Sequence, residues 1–432
     1  MQGLATEMAP SPSVVIPHFV FAAVSFFILS LLLLFSGEAM TGYFIQPQIL
    51  ALTHIAALGW GTMIIFGALY QLIPVVFEVP LYSEGLAKTT FWTFGVGIVL
   101  MVYSFWTGSF GILLSISGSI VFIVLMMFTY NVFRSTQKSK KKNIQSLFVK
   151  TSTIWLGLTA LVGLLLALNY KYAFLTPSHL LYLKMHAHMG LAGWFLMLIM
   201  GVGATLIPMF LVSHQVSDKN LKFAYYFTNI GLVILMIDWL LLHGSMFIPV
   251  WGIIITAGIV FFISFVAQSY KKRIRKVLDI GMKHTMLSVF SLVLPIILGL
   301  FASSKFIEFD MDFYYRIVLL YGFSLFFVFI TSIILGQTYK TIPFIIWLVE
   351  YKALVGKTKT PLPKELYSEK LSEWQFYFYI ASIVSLITGI LLANHYVIEF
   401  GAILLLVTAI LYNINVFKIV LHKAKPVGSK KA

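Results

Sequence analysis

Cysteine is absent from the 432 residues. The chain therefore makes no disulfide, no thiolate-ligated iron–sulfur cluster and no thioether link to a haem. Charge is scarce too: 10% of the residues are Asp, Glu, Lys or Arg, and acids are outnumbered 15 to 30. That is too little to cover the surface of a water-soluble chain of this length. A net charge of +15 could point to nucleic acid, but the basic residues stand in short loops between apolar runs, where they report membrane orientation. The first dozen residues lack a basic n-region, so no cleavable signal peptide is expected; residues 1–12 read as a short disordered tail.

What fills the chain instead is hydrocarbon: 60% hydrophobic residues and a mean hydropathy of +0.94. Stretches long enough to span a bilayer, roughly 20 residues each, fall at 14–36, 48–76, 89–108, 110–134, 148–169, 178–212, 220–243, 247–270, 280–303, 313–348, 372–393 and 396–421. The expected fold is all-α, a single polytopic membrane domain over 1–432 with about twelve transmembrane helices.

The second, sixth and tenth stretches are related. Set 134 residues apart, Thr53-His54 through Gly59-Trp60 runs in register with Ala187-His188 through Gly193-Trp194. Gly67 falls on Gly201 and Leu72-Ile73-Pro74 on Leu206-Ile207-Pro208, without a gap. A fainter copy follows 135 residues on, from Tyr321-Gly322-Phe323 through Gly336 to Ile342-Pro343, with Tyr321 in the place of His186 and Phe323 in that of His188. Three copies at steady spacing mean an internal repeat: three sets of four helices in a pseudo-threefold arrangement, near 14–134, 148–270 and 280–421.

Lys and Arg cluster after the fourth, eighth, tenth and twelfth stretches (Arg134 to Lys142, Lys271 to Lys276, Lys352 to Lys359, Lys423 to Lys431), whereas the opposite side holds Lys171, Lys184, Lys305 and Arg316. The positive-inside rule puts both termini in the cytoplasm. At 1.5 Å per residue, His54 then lies roughly 10 Å, and His186 and His188 roughly 12–15 Å, below the outer boundary.

A histidine at membrane depth is costly without a partner and is a functional-site hypothesis by default. His186 and His188, two residues apart, point about 200° apart on a helix, so they serve two flanks of the sixth helix. His54 and His188 are repeat-mates on two inner helices, and two converging imidazoles suit the axial positions of a b-type haem; these are the expected pair. His179 shares a face with His186, beside Tyr182. That face, joined by His243, is a candidate for a second haem or for a copper or non-haem iron ion. Asp238, a carboxylate inside the seventh helix, is with Tyr182 the candidate proton path. Glu308, Asp310 and Asp312 read as a solvated outer loop.

Twelve helices in three sets of four, with histidines in the outer half of the second and sixth, resemble subunit I of the haem–copper oxidase superfamily, which includes nitric oxide reductases. The resemblance covers most of the chain as topology, but as motif only the segments around His54 and His186–His188. It implies a low-spin haem ligated through His54. In that family the His-x-His stands on helix ten; here it stands on helix six, and the family's Pro-Glu-Val-Tyr copper-histidine context is missing. The chain is also similar to the NnrS-type membrane proteins, twelve-helix haem- and copper-containing proteins linked to nitric oxide stress.

The expected function is a haem-binding membrane redox protein that acts on a diatomic gas, oxygen or nitric oxide, or transfers electrons. Its electron donor would be quinol or another protein. A nitric oxide response protein without turnover and a transporter with a histidine-lined path are the alternatives. Inverted repeats are common among transporters, but sets of four helices keep one orientation.

Overall fold

The computed structural model describes residues 8–214, 216–304 and 310–424. The basic residues Lys305, Lys425, Lys430 and Lys431, and Glu308 of the outer loop, lie outside these. Among the described residues twelve helices are long and apolar enough to cross a membrane. They are α1 (Pro12–Leu34), α2 (Pro47–Phe77), α3 (Glu84–Trp106), α4 (Ile112–Thr136), α5 (Ile144–Tyr172), α6 (His179–Leu211), α7 (Lys219–Leu242), α8 (Ile248–Lys271), α9 (Ile280–Ser303), α10 (Met311–Leu354), α11 (Glu369–Leu391) and α12 (His395–Val420). The chain is an all-helical polytopic membrane protein.

Helices are the solution the sequence permits. Uninterrupted apolar runs leave backbone amides and carbonyls no water to bond, so each run satisfies them internally. Short polar residues set the starts: Ser83 caps Leu86 (3.1 Å), Asn143 caps Ser146 (2.8 Å), Asp279 caps Met282 (3.1 Å) and Asn394 caps Val397 (3.2 Å). Outward faces carry exposed Trp92, Val99, Leu241 and Tyr396, an apolar covering that only lipid satisfies.

Three helices form the core. In α2, α6 and α10 the most apolar window is 72%, 72% and 78% buried, against 28–56% in the others. Around them α4 packs on α5, α8 on α9 and α12 on α1, so the outer helices close into a ring. Each inner helix widens into a π-helical stretch at one place: Ile55–Thr62, Met189–Leu196 and Ser324–Ile330. All three begin at the residue after His54, His188 or Phe323, the positions aligned in the repeat. Such π segments occur frequently at functional sites.

Side chains repeat the same relation. Gly67, Gly201 and Gly336 each leave too little room for a Cβ, which would meet the Cβ of His18 (2.8 Å), Phe148 (2.5 Å) and His284 (2.8 Å). These seat the first helix of each set against its inner helix. At the centre, the Trp194 indole donates to Thr62 Oγ1 (3.3 Å) and the Trp60 indole to Thr331 Oγ1 (3.1 Å). Trp60 aligns with Trp194 and Phe329, and Thr62 with Leu196 and Thr331. The two bonds therefore run α6 to α2 and α2 to α10. The third step of the cycle is apolar, with Phe329 and Leu196 both buried.

Candidate functional site

A cavity of about 770 Å³ surrounds the N-terminal half of α6. His54, His179, His186, His188 and Tyr321 line it, with Gly163, Phe105, Trp239 and Gly299 among its walls. The π-helical stretches of α2 and α6 begin at the residues directly after His54 and His188.

The two histidines of α6 take opposite flanks. His186 turns toward α2 and α5. Its Nδ1 bonds the Thr159 carbonyl (2.9 Å), and its ring lies 6.4 Å from that of His54, centroid to centroid, with the planes 18° apart. His54 Nδ1 bonds the Leu50 carbonyl (2.7 Å), while Phe105 backs its ring at 4.4 Å. A carbonyl accepts only from a protonated nitrogen, so each Nδ1 carries the hydrogen and each Nε2 keeps its lone pair. That is the tautomer of a metal-ligating imidazole with its outer-shell partner in place. The 6.4 Å separation is close to what two metal–imidazole bonds of about 2 Å and the half-widths of two rings would span. The residues fit a haem iron held between two imidazoles.

The structure thus places the ring of His54 beside that of His186, where the sequence led to an expected pairing with His188. Positions related by a rotation face each other only across a twofold axis; a threefold arrangement makes head-to-tail contacts between unlike positions. His54 meets the residue two before its own repeat-mate. His188 obeys the same rule one set further on. It faces α10, where its Nε2 lies 3.5 Å from the Tyr321 hydroxyl. The two rings are 5.9 Å and 26° apart, and Trp239 packs at 4.9 Å.

His186, His179 and His243, the expected holders of a copper or non-haem iron ion, have separate surroundings. His179 turns to the outer rim, where its Nδ1 lies 3.0 Å from the Asn169 side-chain amide and its ring 4.8 Å from Tyr170. His243 is an exposed residue ending α7 in a left-handed conformation (φ 53°). Among the described residues no three His, Asp or Glu side chains gather as a metal site. Nor are Asp238 and Tyr182 joined into a path. The Asp238 carboxylate accepts from the Ser245 amide (2.8 Å), the Ser245 hydroxyl and the Trp251 indole (2.9 Å), which ties down the α7–α8 loop. The Tyr182 hydroxyl donates to the Thr176 carbonyl (2.9 Å) and anchors the loop before α6.

Sequence reasoning noted Tyr321 as the occupant of the His186 position but gave it no role, and it passed over Gly163. A Cβ there would come within 2.7 Å of His186 Cε1 and 3.1 Å of its Nδ1. The sequence repeat did not mark it: at the 135-residue spacing of the inner helices Gly163 falls on Leu298, and Gly163 and Gly299 come into register only through the packing of Phe148 against Gly201 and of His284 against Gly336.

No protein-family model matches the chain. It is similar to a cbb3-type cytochrome c oxidase subunit, CcoN1, of Stutzerimonas stutzeri, at 29% identity over a stretch that covers 20% of this chain and 25% of that protein. The matched stretch thus spans a quarter of that relative's length. The similarity fits a distant relation to the core subunit of haem–copper oxidases.

Proposed function

We propose that the protein is an integral-membrane haem protein of oxidase ancestry, in which His54 and His186 hold a b-type haem and which acts on a diatomic gas or passes electrons from quinol or a protein donor. The observation that carries this is the pair itself: two imidazoles on different inner helices, in near-parallel planes, each with Nδ1 engaged by a backbone carbonyl and both lining one cavity. The haem would supply one-electron chemistry at its iron. The chain's own part is to fix both tautomers, to keep water out with Phe105, Leu156 and Phe195, and to offer Lys184 toward the haem carboxylates. Lys184 is the one charged side chain among the described residues lining the cavity. On this reading the histidines lie in the outer half of the membrane and both termini face the cytoplasm, as the distribution of basic residues supports.

The test is a reduced-minus-oxidised absorption spectrum of the purified protein, paired with low-temperature electron paramagnetic resonance of the oxidised form. Sharp reduced b-type bands and a low-spin ferric signal are expected, and both should be lost in His54→Ala and in His186→Ala while the helical circular dichroism persists. A folded protein without haem, expressed with haem supply, would sink the proposal.

A further inference from the structure

Two basic segments at the C-terminal ends of the inner helices are tied down by an acid. Lys141 pairs with Glu78, just past α2 (2.6 Å), and Lys423 with Glu350 of α10 (2.9 Å). The loop from α8 to α9 is held in another way, by hydrogen bonds to the end of α6. The Ile274 amide donates to the Val212 carbonyl (3.2 Å), and the Ser213 hydroxyl to the Ser269 carbonyl (2.6 Å). Asp279, the one carboxylate of the loop, is shared between Arg275 (2.9 Å) and Lys340. The Arg273 guanidinium lies 3.7 Å over the Tyr270 ring and donates to the Tyr270 carbonyl (2.7 Å). Lys271, Lys272 and Lys276 are exposed. Lys219 and Lys222 on the neighbouring α7 are exposed too and, three residues apart, share a face. The Asn220 amide donates to Ser264 Oγ (3.0 Å), which fixes the start of α7 against the end of α8. Within 218–222 and 271–279, seven cations thus stand against two carboxylates, Asp218 and Asp279.

A row of cations by itself is what the positive-inside rule gives a cytoplasmic loop. That rule does not account for the hydrocarbon among them. Ile274 is 62% exposed, Val277 80%, and Val212, bonded to Ile274 through the backbone, 45%. All three lie outside the spanning helices. We propose that the α8–α9 loop and the start of α7 bind a phospholipid with a net negative headgroup. Lys271, Lys272 and Lys276 take the phosphate, while Ile274 and Val277 reach the edge of the acyl region. Clustered cations attract anionic headgroups over about a Debye length, and amphipathic segments set charge and hydrocarbon on the two sides of that boundary. The bond to Val212 holds the lipid against the end of an inner helix. None of these residues belongs to the haem site.

The experiment places the full-length protein in phosphatidylcholine vesicles with a trace of phosphatidylglycerol that carries a photoactivatable group near its headgroup, and maps cross-linked peptides by mass spectrometry. Labelling is expected within 271–277 and at the start of α7. Unlabelled phosphatidylglycerol should compete it away. Soluble glycerol phosphate, which has the phosphate without the chains, should not. Lys271→Gln, Lys272→Gln and Lys276→Gln together should lose most of the labelling, and high salt should weaken it. Lys138→Gln, Lys140→Gln and Lys142→Gln remove the same charge elsewhere and should leave it. Ile274→Ser with Val277→Ser keeps every charge and should also weaken it. Equal labelling of the loop by a photoactivatable phosphatidylcholine overturns the proposal. So does an equal outcome in the two lysine triples, which means diffuse surface charge only, and so does displacement by glycerol phosphate. The competition is read on the parent protein and decides even where a variant fails to fold.

Discussion

Gly163→Ala is the sharpest probe of the His54–His186 site, because it adds one methyl group and touches neither ligand. The new Cβ would sit 2.7 Å from His186 Cε1 and 3.1 Å from Nδ1, inside any normal contact, and the ring has little freedom to yield because Nδ1 is held by the Thr159 carbonyl at 2.9 Å. Overpacking of this kind costs about 1–3 kcal/mol. Swinging the ring away instead forfeits the Nδ1 bond, worth about 1 kcal/mol. Alanine in a helix interior recovers roughly 1 kcal/mol of propensity over glycine. Global stability therefore moves by about 2 kcal/mol or less, whereas the imidazole leaves its place opposite His54. A loss of 2–3 kcal/mol in ligand placement corresponds to haem binding weakened about 30- to 150-fold. The assay is haem per chain beside a thermal melt of the helical signal. The control is Gly85→Ala, outside the cavity, whose Cβ would meet Ser83 Oγ at an ordinary 3.8 Å. Expected are substoichiometric haem and a small shift in melting for Gly163→Ala, with neither change in the control. Full haem content with an unaltered low-spin signal would refute the placement of His186 as a ligand.

Other predictions test the frame around the site. Trp194→Phe and Thr62→Val each remove one end of the 3.3 Å indole–hydroxyl bond between α6 and α2. Each should cost about 1 kcal/mol, and the double variant should cost less than their sum, as a thermal-melt cycle would show. At the polar boundary before α9, burial disfavours the charge of Asp279, but the hydrogen bond and charge of Lys340, the Met282 amide and Arg275 outweigh it and hold its carboxyl below the ordinary 3.8. Because the folded value is the lower one, the stabilisation is fully present above pH 3.8 and is lost as the pH falls through that folded value. Asp279→Asn keeps the helix cap but breaks the charge pair with Lys340. It should destabilise by about 2 kcal/mol at neutral pH and flatten the acid limb of a pH–stability profile.

The number and limits of the helices were legible because lipid imposes one simple rule, an apolar run of fixed length. Even the small offsets have a cause. α3 begins at Glu84 rather than near residue 89 because Ser83 caps it ahead of the apolar run. The inner helices were legible as a repeat, but their π-helical stretches were not, since a π segment leaves no mark in composition. The histidines were found as candidates from their place in apolar runs and from the repeat that aligns His54 with His188. Their partners were not, because partner choice depends on how three helices wind about one another. Asp238 shows the same limit from the other side: a carboxylate in an apolar helix reads as chemistry, and only the position of Ser245 and Trp251 shows it to be a loop anchor.

The register also bears on why the His-x-His stands on α6. In a head-to-tail ring, each inner helix contributes one residue to the position before it and another, two residues on, to the position after it. Only a helix carrying donors at both places can serve two neighbouring sites. On α6 these two places hold His186 and His188, on α2 Leu52 and His54, and on α10 Tyr321 and Phe323. The donors therefore form an unbroken series, His54, His186, His188, Tyr321, that begins on α2, passes through α6 and ends on α10. Both ends are apolar, Leu52 and Phe323 being buried, and both line the same cavity, as does Leu33. A second His-x-His on α10 would extend the series to the position between α10 and α2, where Leu33 on α1 stands in the place that Gly163 holds on α5. Holding a haem there would take Leu33→Gly together with donors at Leu52 and Phe323, and no single substitution among the three should bind haem there.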